Sequence, residues 1–375
     1  MTPPSHVIPR CWVEIDRDAL RHNADIARAQ AGCELMAIVK ANAYGHGAVE
    51  VAEALVDKAA LFGVANLQEA DALRSAGITL PILLLSPCLP EEHEALLGRG
   101  FHVCISSLEE ATDWEALGVQ HQCKVPVHLV LDTGMGRMGF TENQWNETLF
   151  RSLLAMPHLQ FEGVCSHLPS PDDDASFTQD QIARFKQGVE LARAAGISPT
   201  WVHLSNSAGL LGFHETHGLC NIARPGLMLY GFSPLASYQA LLRPVLTWKT
   251  KVTLVRELPA GHGISYGRTF ITTKPTQVAT LACGYADGYP RQVSGRDASV
   301  LIQGQRCAVL GRITMDQCMV DVTALGDKAQ AGDEAVLMGS QGSGSISGFE
   351  LAEKANTIVW HILTGITARV ERLYR

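Results

Sequence analysis

The chain has no run of about 18 unbroken apolar residues, the length a membrane-spanning helix needs, although 46% of its 375 residues are hydrophobic. It also has no cluster of Lys and Arg. Its 30 basic residues against 38 acidic ones give a net charge of -8 and a pI near 6.0, so it offers no phosphate footprint and no nucleic acid partner is expected. No C-x-x-C pair occurs among its ten cysteines, which are spread from Cys11 to Cys318 and often sit in apolar runs. Free buried thiols in a reducing cytoplasm are therefore expected, with no disulfide framework and no metal site. The opening residues Met1-Thr2-Pro3-Pro4-Ser5 lack a basic region leading into an apolar core. No secretory signal is expected, and the expected location is cytoplasmic with no membrane association. No internal repeat or low-complexity segment appears. The length fits two domains, or one large domain with an added module.

Short apolar runs alternate with helical patterns through the first two thirds of the chain. Strands are predicted at 34–40, 61–65, 82–85, 101–105, 125–132, 159–166, 200–205 and 220–224, and helices at 49–57, 67–75, 91–97, 108–117 and 181–195. Eight buried-looking strands, each followed by enough chain for a crossover, predict an α/β fold with an N-terminal (β/α)8 TIM-type barrel over 11–240. A doubly wound open sheet is the alternative. From about 241 the runs alternate with period two, as in Thr247-Trp248-Lys249-Thr250-Lys251-Val252, and are broken at Pro259-Ala260-Gly261, 284–290 and 339–348. That pattern predicts a C-terminal, mainly antiparallel β-domain over 241–375, closed by one last helix from Phe349 to about Thr364. The first strand, 11–16, is free to join either domain.

Barrels of this kind place their chemistry at the C-terminal strand ends. Lys40, Asp132, His167, Ser205-Asn206-Ser207 and Arg224 all fall there. Lys40 stands at the head of Lys40-Ala41-Asn42-Ala43-Tyr44-Gly45-His46-Gly47. A lysine desolvated at a strand end shifts towards its neutral amine and can condense with an aldehyde. The bland alternative is a lysine that merely starts a loop. Strands seven and eight end in Ser205-Asn206-Ser207 and Arg224-Pro225-Gly226, a hydroxyl, an amide and glycine-permitted N–H groups suited to a phosphate; Asn206-Ser207 could equally cap a helix. A Schiff-base lysine and a phosphate cradle together point to pyridoxal 5'-phosphate (PLP). The loop Asp132-Thr133-Gly134-Met135-Gly136-Arg137 is not a P-loop; Arg137 could hold an oxyanion or simply face solvent.

The chain resembles the alanine racemases, PLP enzymes that pair a barrel with a β-domain. The motifs carrying the resemblance run from Trp12-Val13-Glu14-Ile15-Asp16 through 39–47, 132–139, Gly163-Val164-Cys165-Ser166-His167, Asn206-Ser207, Arg224-Pro225-Gly226 and Leu229-Tyr230-Gly231. They continue through Ile264-Ser265-Tyr266-Gly267, 284–291 and Met315-Asp316-Gln317. The resemblance implies interconversion of L- and D-alanine by two bases on opposite faces, Lys40 and Tyr266, with D-alanine supplied for cell-wall peptidoglycan. It implies that Lys40, Tyr44, His167, Ser207, Arg224, Gly226, Ile222 and Trp360 surround the cofactor. Arg137, Met315, Tyr285 and Asp316 would surround the substrate. It further implies a homodimer in which Tyr266, Tyr285 and Met315 complete the partner's site. A phenol with an ordinary pKa of about 10 needs help to act near neutrality, and His167 and Arg224 match the residues that supply it. Tyr285 could instead be a turn-flanking tyrosine packed on Pro290, and Tyr230 and Tyr289 read as structural.

Three positions depart from the family pattern. Val130 replaces a lysine that many members carry as a carbamate beside the loop arginine; a bound anion such as chloride, or a nearby carboxylate, is expected beside Arg137 instead. Thr314 replaces a common cysteine. Trp360 replaces the usual tyrosine near the phosphate and substrate side chain, which leaves open a racemase of serine or of broader specificity. A PLP-dependent decarboxylase of the same class needs no tyrosine base, so Ser265-Tyr266-Gly267 argues against it.

Overall fold

The computed structural model describes residues 9–375. They divide into two compact units: Asp18–Ala43 with Ala48–Arg243, and the chain up to Arg17 with Tyr44–Gly47 and Pro244–Arg375.

After strand β1 (Cys11–Ile15), the first of these units opens with helix α1 (Arg17–Ala31), which no apolar pattern announced. Eight strands follow: β2 (Glu34–Ile38), β3 (Leu61–Val64), β4 (Ile82–Leu84), β5 (Val103–Ile105), β6 (Val125–Asp132), β7 (Leu159–Cys165), β8 (Trp201–His203) and β9 (Ile222–Ala223). All pair in parallel: β9 with β2, β2 with β3, β3 with β4, then β5 with β6, β6 with β7 and β7 with β8. A parallel bridge from Leu83 to His102 joins β4 to β5. The Asn221 N–H to Val202 (3.1 Å) and the Arg224 N–H to Ser205 (2.9 Å) join β8 to β9. The order closes on itself, so the fold is a barrel and not an open sheet. Strand interiors are mostly buried, because helices cover the outside and side chains fill the inside; the main exception is the start of β7, where Gln160 is exposed and Phe161 and Glu162 are half-buried. Asn23 of α1 fastens the ring at its seam. Its amide donates to Leu229 (3.0 Å) and Arg243 (2.8 Å) and accepts from the Arg243 N–H at 2.8 Å.

The other unit is built on β10 (Leu246–Leu258), β11 (Thr276–Leu281), β12 (Ser299–Ile302), β13 (Gln305–Leu310), β14 (Cys318–Asp321), β15 (Glu334–Gln341), β16 (Gly344–Ile346) and β17 (Glu371–Tyr374). Its nine-stranded sheet runs β16-β15-β12-β13-β14-β11-β10-β1-β17, with β15 also pairing β10. Every pairing is antiparallel except β1 with β17. The inward residues of β10, Trp248, Thr250 and Val252, are buried while their neighbours are half-buried, the period-two signature of a sheet with one covered face. All ten cysteines are free, and seven are buried.

One expectation fails here. The predicted last helix is two, Gly348–Ala355 and Val359–Thr364, split where Asn356 turns left-handed (φ 55°) and its N–H caps the first helix. Asn tolerates that conformation and Ile358 then runs extended, so the helical register is lost. Nor does a helix close the described chain, because β17 follows. Among the described residues no helix is long and apolar enough to cross a membrane.

Candidate functional site

Past β2 the chain does something its composition does not favour. Ala41, Asn42, Ala43 and Tyr44 all take left-handed angles (φ 52° to 54°), and Gly45 follows at 82°. Each non-glycine residue there costs roughly 1–2 kcal/mol relative to its right-handed form. Asn42 tolerates this best, and its side chain accepts the Ala48 N–H (2.9 Å) at the start of helix α2 (Ala48–Leu55). The stronger brace is Glu69, in helix α3 (Leu67–Ser75). One carboxylate oxygen accepts the Ala41 N–H at 2.7 Å and the other the Ala65 N–H at 2.8 Å. Sequence reasoning missed Glu69. Its only signal was its place three residues after the helix cap Asn66, whose side chain accepts the Glu69 N–H at 3.0 Å.

The turn leaves Lys40 half-buried at the mouth of the barrel. Burial lowers its pKa first and the positive charge of Arg137 next; Glu69 opposes them and Arg224 adds to the lowering. Lys40 therefore holds its proton less tightly than a free lysine, as an amine that must act as nucleophile or base requires.

Arg224 is 5% exposed and bonds only to neutral acceptors. Its guanidinium donates to the carbonyls of Ser166 (2.6 Å), Leu204 (2.8 Å) and His203 (3.0 Å), and to Nδ1 of both His203 (2.5 Å) and His167 (3.1 Å). An arginine only donates, so both imidazoles accept at Nδ1 and, when neutral, carry their proton on Nε2. Burial, then the charges of Arg224, Arg137 and Lys40, push His167 well below its ordinary pKa, so it is neutral. His203 was not foreseen. It sits inward on β8 between apolar neighbours, a polar residue in a buried run.

Ser207 begins the helix Ser207–Gly212 with Asn206 as its cap: the Asn206 side chain accepts the Gly209 N–H at 3.0 Å. The Ser207 hydroxyl accepts the N–H groups of Gly226 (3.1 Å) and Met228 (3.3 Å). Ser207, Gly226 and the Ile222 strand end thus meet as the sequence suggested. Asp132, although at the same mouth, is occupied by its own loop, accepting the N–H groups of Gly134 and Met135 (both 2.9 Å) and of Gly136. That loop carries Arg137, exposed and without a carboxylate in ion-pairing range among the described residues. The carboxylate expected in exchange for the family's carbamate is not found. Val130 is instead buried under the loop, where its methyl group leaves no room for a side chain at Gly139.

The other unit gathers the remaining residues on an exposed face. Tyr266 is 70% exposed, Met315 53% and Tyr285 40%. Backbone bonds from Tyr285 to Thr314 (3.0 Å) and from Ala286 to Met315 (2.9 Å) hold two loops together, and a side chain at Gly284 would collide with Met315. The Ser265 hydroxyl donates to the Arg312 carbonyl at 2.6 Å, bringing Tyr266 to the same loop. Asp316 is paired with Arg369 at 2.9 Å. Trp360 is half-buried on Val359–Thr364, the helix whose Leu363 carbonyl a side chain at Gly45 would strike. Burial raises the Tyr44 phenol to about 12. Tyr230 donates to the Ile38 carbonyl (2.8 Å) and Tyr289 packs edge-on against Trp248; both are core residues.

A lysine, a buried arginine and a neutral histidine at the C-terminal mouth of a (β/α)8 barrel define the class as a barrel enzyme with an anion-seeking site. The family description "Alanine racemase, N-terminal domain" matches residues 15–234, and "Alanine racemase, C-terminal domain" matches 245–374. An alanine racemase of Methylacidiphilum infernorum is 40% identical over 99% of this chain and 94% of its own length. Among solved structures, an alanine racemase from D-cycloserine-producing Streptomyces lavendulae superposes with a TM-score of 0.90 at 36% identity, covering 99% of this chain and 98% of the other. One from Bacillus anthracis with bound L-Ala-P gives 0.90 at 33%, covering 99% and 96%. The chain belongs to the alanine racemase family, a family of isomerases.

Glu69→Ala should lose the carboxylate bond to the left-handed turn at Ala41 together with the one to Ala65 and destabilise the protein by roughly 2–3 kcal/mol, the usual worth of hydrogen bonds to a charged group. Urea unfolding measures this, and faster amide exchange confined to 41–44 should accompany it. A change within 0.5 kcal/mol, the scale of a neutral surface substitution, would show that the turn holds itself.

Proposed function

We propose that the protein interconverts L- and D-alanine with PLP as cofactor and Lys40 and Tyr266 as its two bases, supplying D-alanine for peptidoglycan from the cytoplasm. The observation that carries this reading is a half-buried Lys40 at the barrel mouth within electrostatic reach of a buried Arg224 that meets only neutral acceptors. Lys40, Arg137 and Arg224 bear on one another's charge with only Glu69 opposing at Lys40. Such a cluster favours a ligand bearing a phosphate and a phenolate. Ser207, the N–H groups at Gly226 and Met228, Ile222, Tyr44 and Trp360 would hold the phosphate end, and Lys40 would carry the aldehyde carbon. Bound there, PLP draws electron density from the substrate's α-carbon and makes its proton removable. Arg224 would face the ring nitrogen and, unable to give up a proton, keep it unprotonated, which discourages side reactions such as transamination.

Racemisation takes a proton from one face of the α-carbon and returns one to the other. The Lys40 amine serves one face. Tyr266, exposed on its own chain, serves the other in the site of a second copy, with the His167 Nε2–H as a donor suited to its phenolate. Tyr285 and Met315 would come with Tyr266, with Asp316 beside them, while Arg137 takes the substrate carboxylate. The homodimer is therefore part of the reading. A bound anion, most simply chloride, would sit beside Arg137 where Val130 cannot carry a carbamate. The family's name and the relative with bound L-Ala-P favour alanine; Trp360 is the feature that favours testing serine.

Purified protein should be yellow, release D-alanine from L-alanine without added PLP and act more slowly on serine, and borohydride should fix the cofactor to the peptide bearing Lys40. Faster turnover of serine, or labelling of another lysine, would overturn the assignment. Tyr266→Phe should lower kcat by at least about 100-fold, the scale of losing a general acid–base, with PLP still bound. Mixing it with inactive Lys40→Ala should restore part of the activity, because mixed dimers hold one intact site; verified subunit exchange without recovery counts against sharing. Racemisation should be indifferent to dissolved bicarbonate, and a crystal structure grown in bromide should show anomalous density beside Arg137. Bicarbonate activation would refute the anion reading.

A further inference from the structure

The buried charge of Arg224 has no carboxylate to meet it: among the described residues no ion pair reaches it. Behind it, inside the barrel, stand three imidazoles in a row. His203 Nε2 lies 2.8 Å from His128 Nδ1, and His128 Nε2 lies 3.2 Å from His102 Nδ1. His203 and His128 are fully buried and His102 is half-buried. Space for the middle ring has been cleared deliberately: Gly163, on the neighbouring strand β7, is paired in register with His128, and a side chain there would overlap the imidazole.

Donor–acceptor chemistry then fixes every proton in the row. Arg224 can only donate, so His203 Nδ1 accepts and Nε2 carries the hydrogen. That hydrogen points at His128 Nδ1, which must accept, so His128 also carries its hydrogen on Nε2 and passes it to His102 Nδ1. Burial pushes all three histidines below their ordinary pKa. Arg224 adds to this at His203 and His128, and His102 lowers His128 further; at His102 itself Arg74 lowers and Glu162 opposes. The row is thus neutral and polarised in one direction. We infer that His128 and His102 are positioning residues for Arg224. With His203 they form one directional chain of hydrogen bonds that enriches the acceptor nitrogen facing the guanidinium and does, without a negative charge, what a carboxylate would otherwise do.

The distinction matters at this site. A carboxylate would cancel the Arg224 charge, whereas an aligned row of neutral dipoles stabilises the cation and leaves its charge intact for a ligand. Nor is the row a proton wire to the reacting atoms. A proton entering at His102 and handed inwards would set an N–H of His203 against the N–H of Arg224, which cannot accept it. The row ends at Arg224 and holds it.

The assignment of protons rests on geometry alone, while its consequence for turnover rests on the racemase reading, and the two are separable. Full-length holoprotein with 15N-labelled histidine should show His203 and His128 as neutral tautomers protonated at Nε2, with coupling across each Nε2–H···Nδ1 bond. His102→Leu, which removes the terminal acceptor, should move the His203 Nδ1 and Arg224 Nη resonances, two and three links away, and lower kcat about threefold. His102→Gln restores an acceptor and should return both towards the wild type. A proton on Nδ1 of His203 or His128, a charged imidazole in either, or unmoved His203 and Arg224 resonances in a folded His102→Leu would overturn the inference. Should His102→Leu fail to fold, the wild-type tautomers alone decide it. The predicted tautomers in a protein that makes no D-alanine would leave the row standing and remove only the proposed activity.

Discussion

A guanidinium removed from water needs compensation, and here it comes entirely from neutral acceptors. Three carbonyls at the ends of β7 and β8 and two imidazole nitrogens surround Arg224. Much of the barrel mouth follows from this. The Ser166 and Leu204 carbonyls lie just past the ends of β7 and β8, while the His203 carbonyl is shared between Arg224 and the Ser166 N–H at 3.2 Å. His167 is fixed with its remaining hydrogen directed away from Arg224, and Lys40 is held below the usual lysine range partly by the same charge. A barrel suits such an arrangement because its interior is packed with side chains, so aligned dipoles act at short range with little screening.

The second constraint is conformational. Four successive left-handed residues, followed by a glycine, are unfavourable in isolation and are braced here by the Glu69 carboxylate and the Asn42 amide. Backbone strain of this kind persists only where the surroundings over-determine it, and it tends to mark functional positions. Here it reverses the chain at once after β2. A right-handed continuation would have carried the residues after Lys40 along a different path and left the Ala41 N–H without its carboxylate.

Much of this was legible in the sequence, for reasons that also explain what was not. Barrel strands covered on both faces read as short apolar runs, and all eight were found within a few residues. The period-two alternation of β10 gave away the β-domain. Helix α1 escaped because its buried stripe is mostly alanine, Ala19, Ala24, Ala27 and Ala31, with Asn23 among them, so its apolar signal is faint. Strand β17, Glu-Arg-Leu-Tyr, has no buried residue in its run and lies at the sheet's edge. The left-handed turn could not be seen at all, since Ala and Tyr favour the opposite hand. Among site residues, the strand-end positions were placed by barrel logic and the motifs by resemblance. Glu69 was missed because its main partner, the Ala41 N–H, belongs to a turn whose hand the sequence does not show; His203 and the row behind it were missed because their partners lie on other strands, and only the closed barrel brings them together.

Strand β1 has an unusual history during synthesis. Its partners are β10, more than two hundred residues later, and β17, later still. At ribosomal rates of about 5–20 residues per second, the first strand waits on the order of ten seconds or more for its antiparallel neighbour, while every barrel strand meets its partners sooner. The segment 44–47 waits with it: Arg372 donates to the Gly45 carbonyl at 3.1 Å, and the Tyr374 hydroxyl to that of His46 at 3.1 Å. The residues just beyond Lys40 are therefore among the earliest made and the last secured. A nascent chain can thus have made every barrel strand before the residues that bond to Gly45 and His46 have been synthesised.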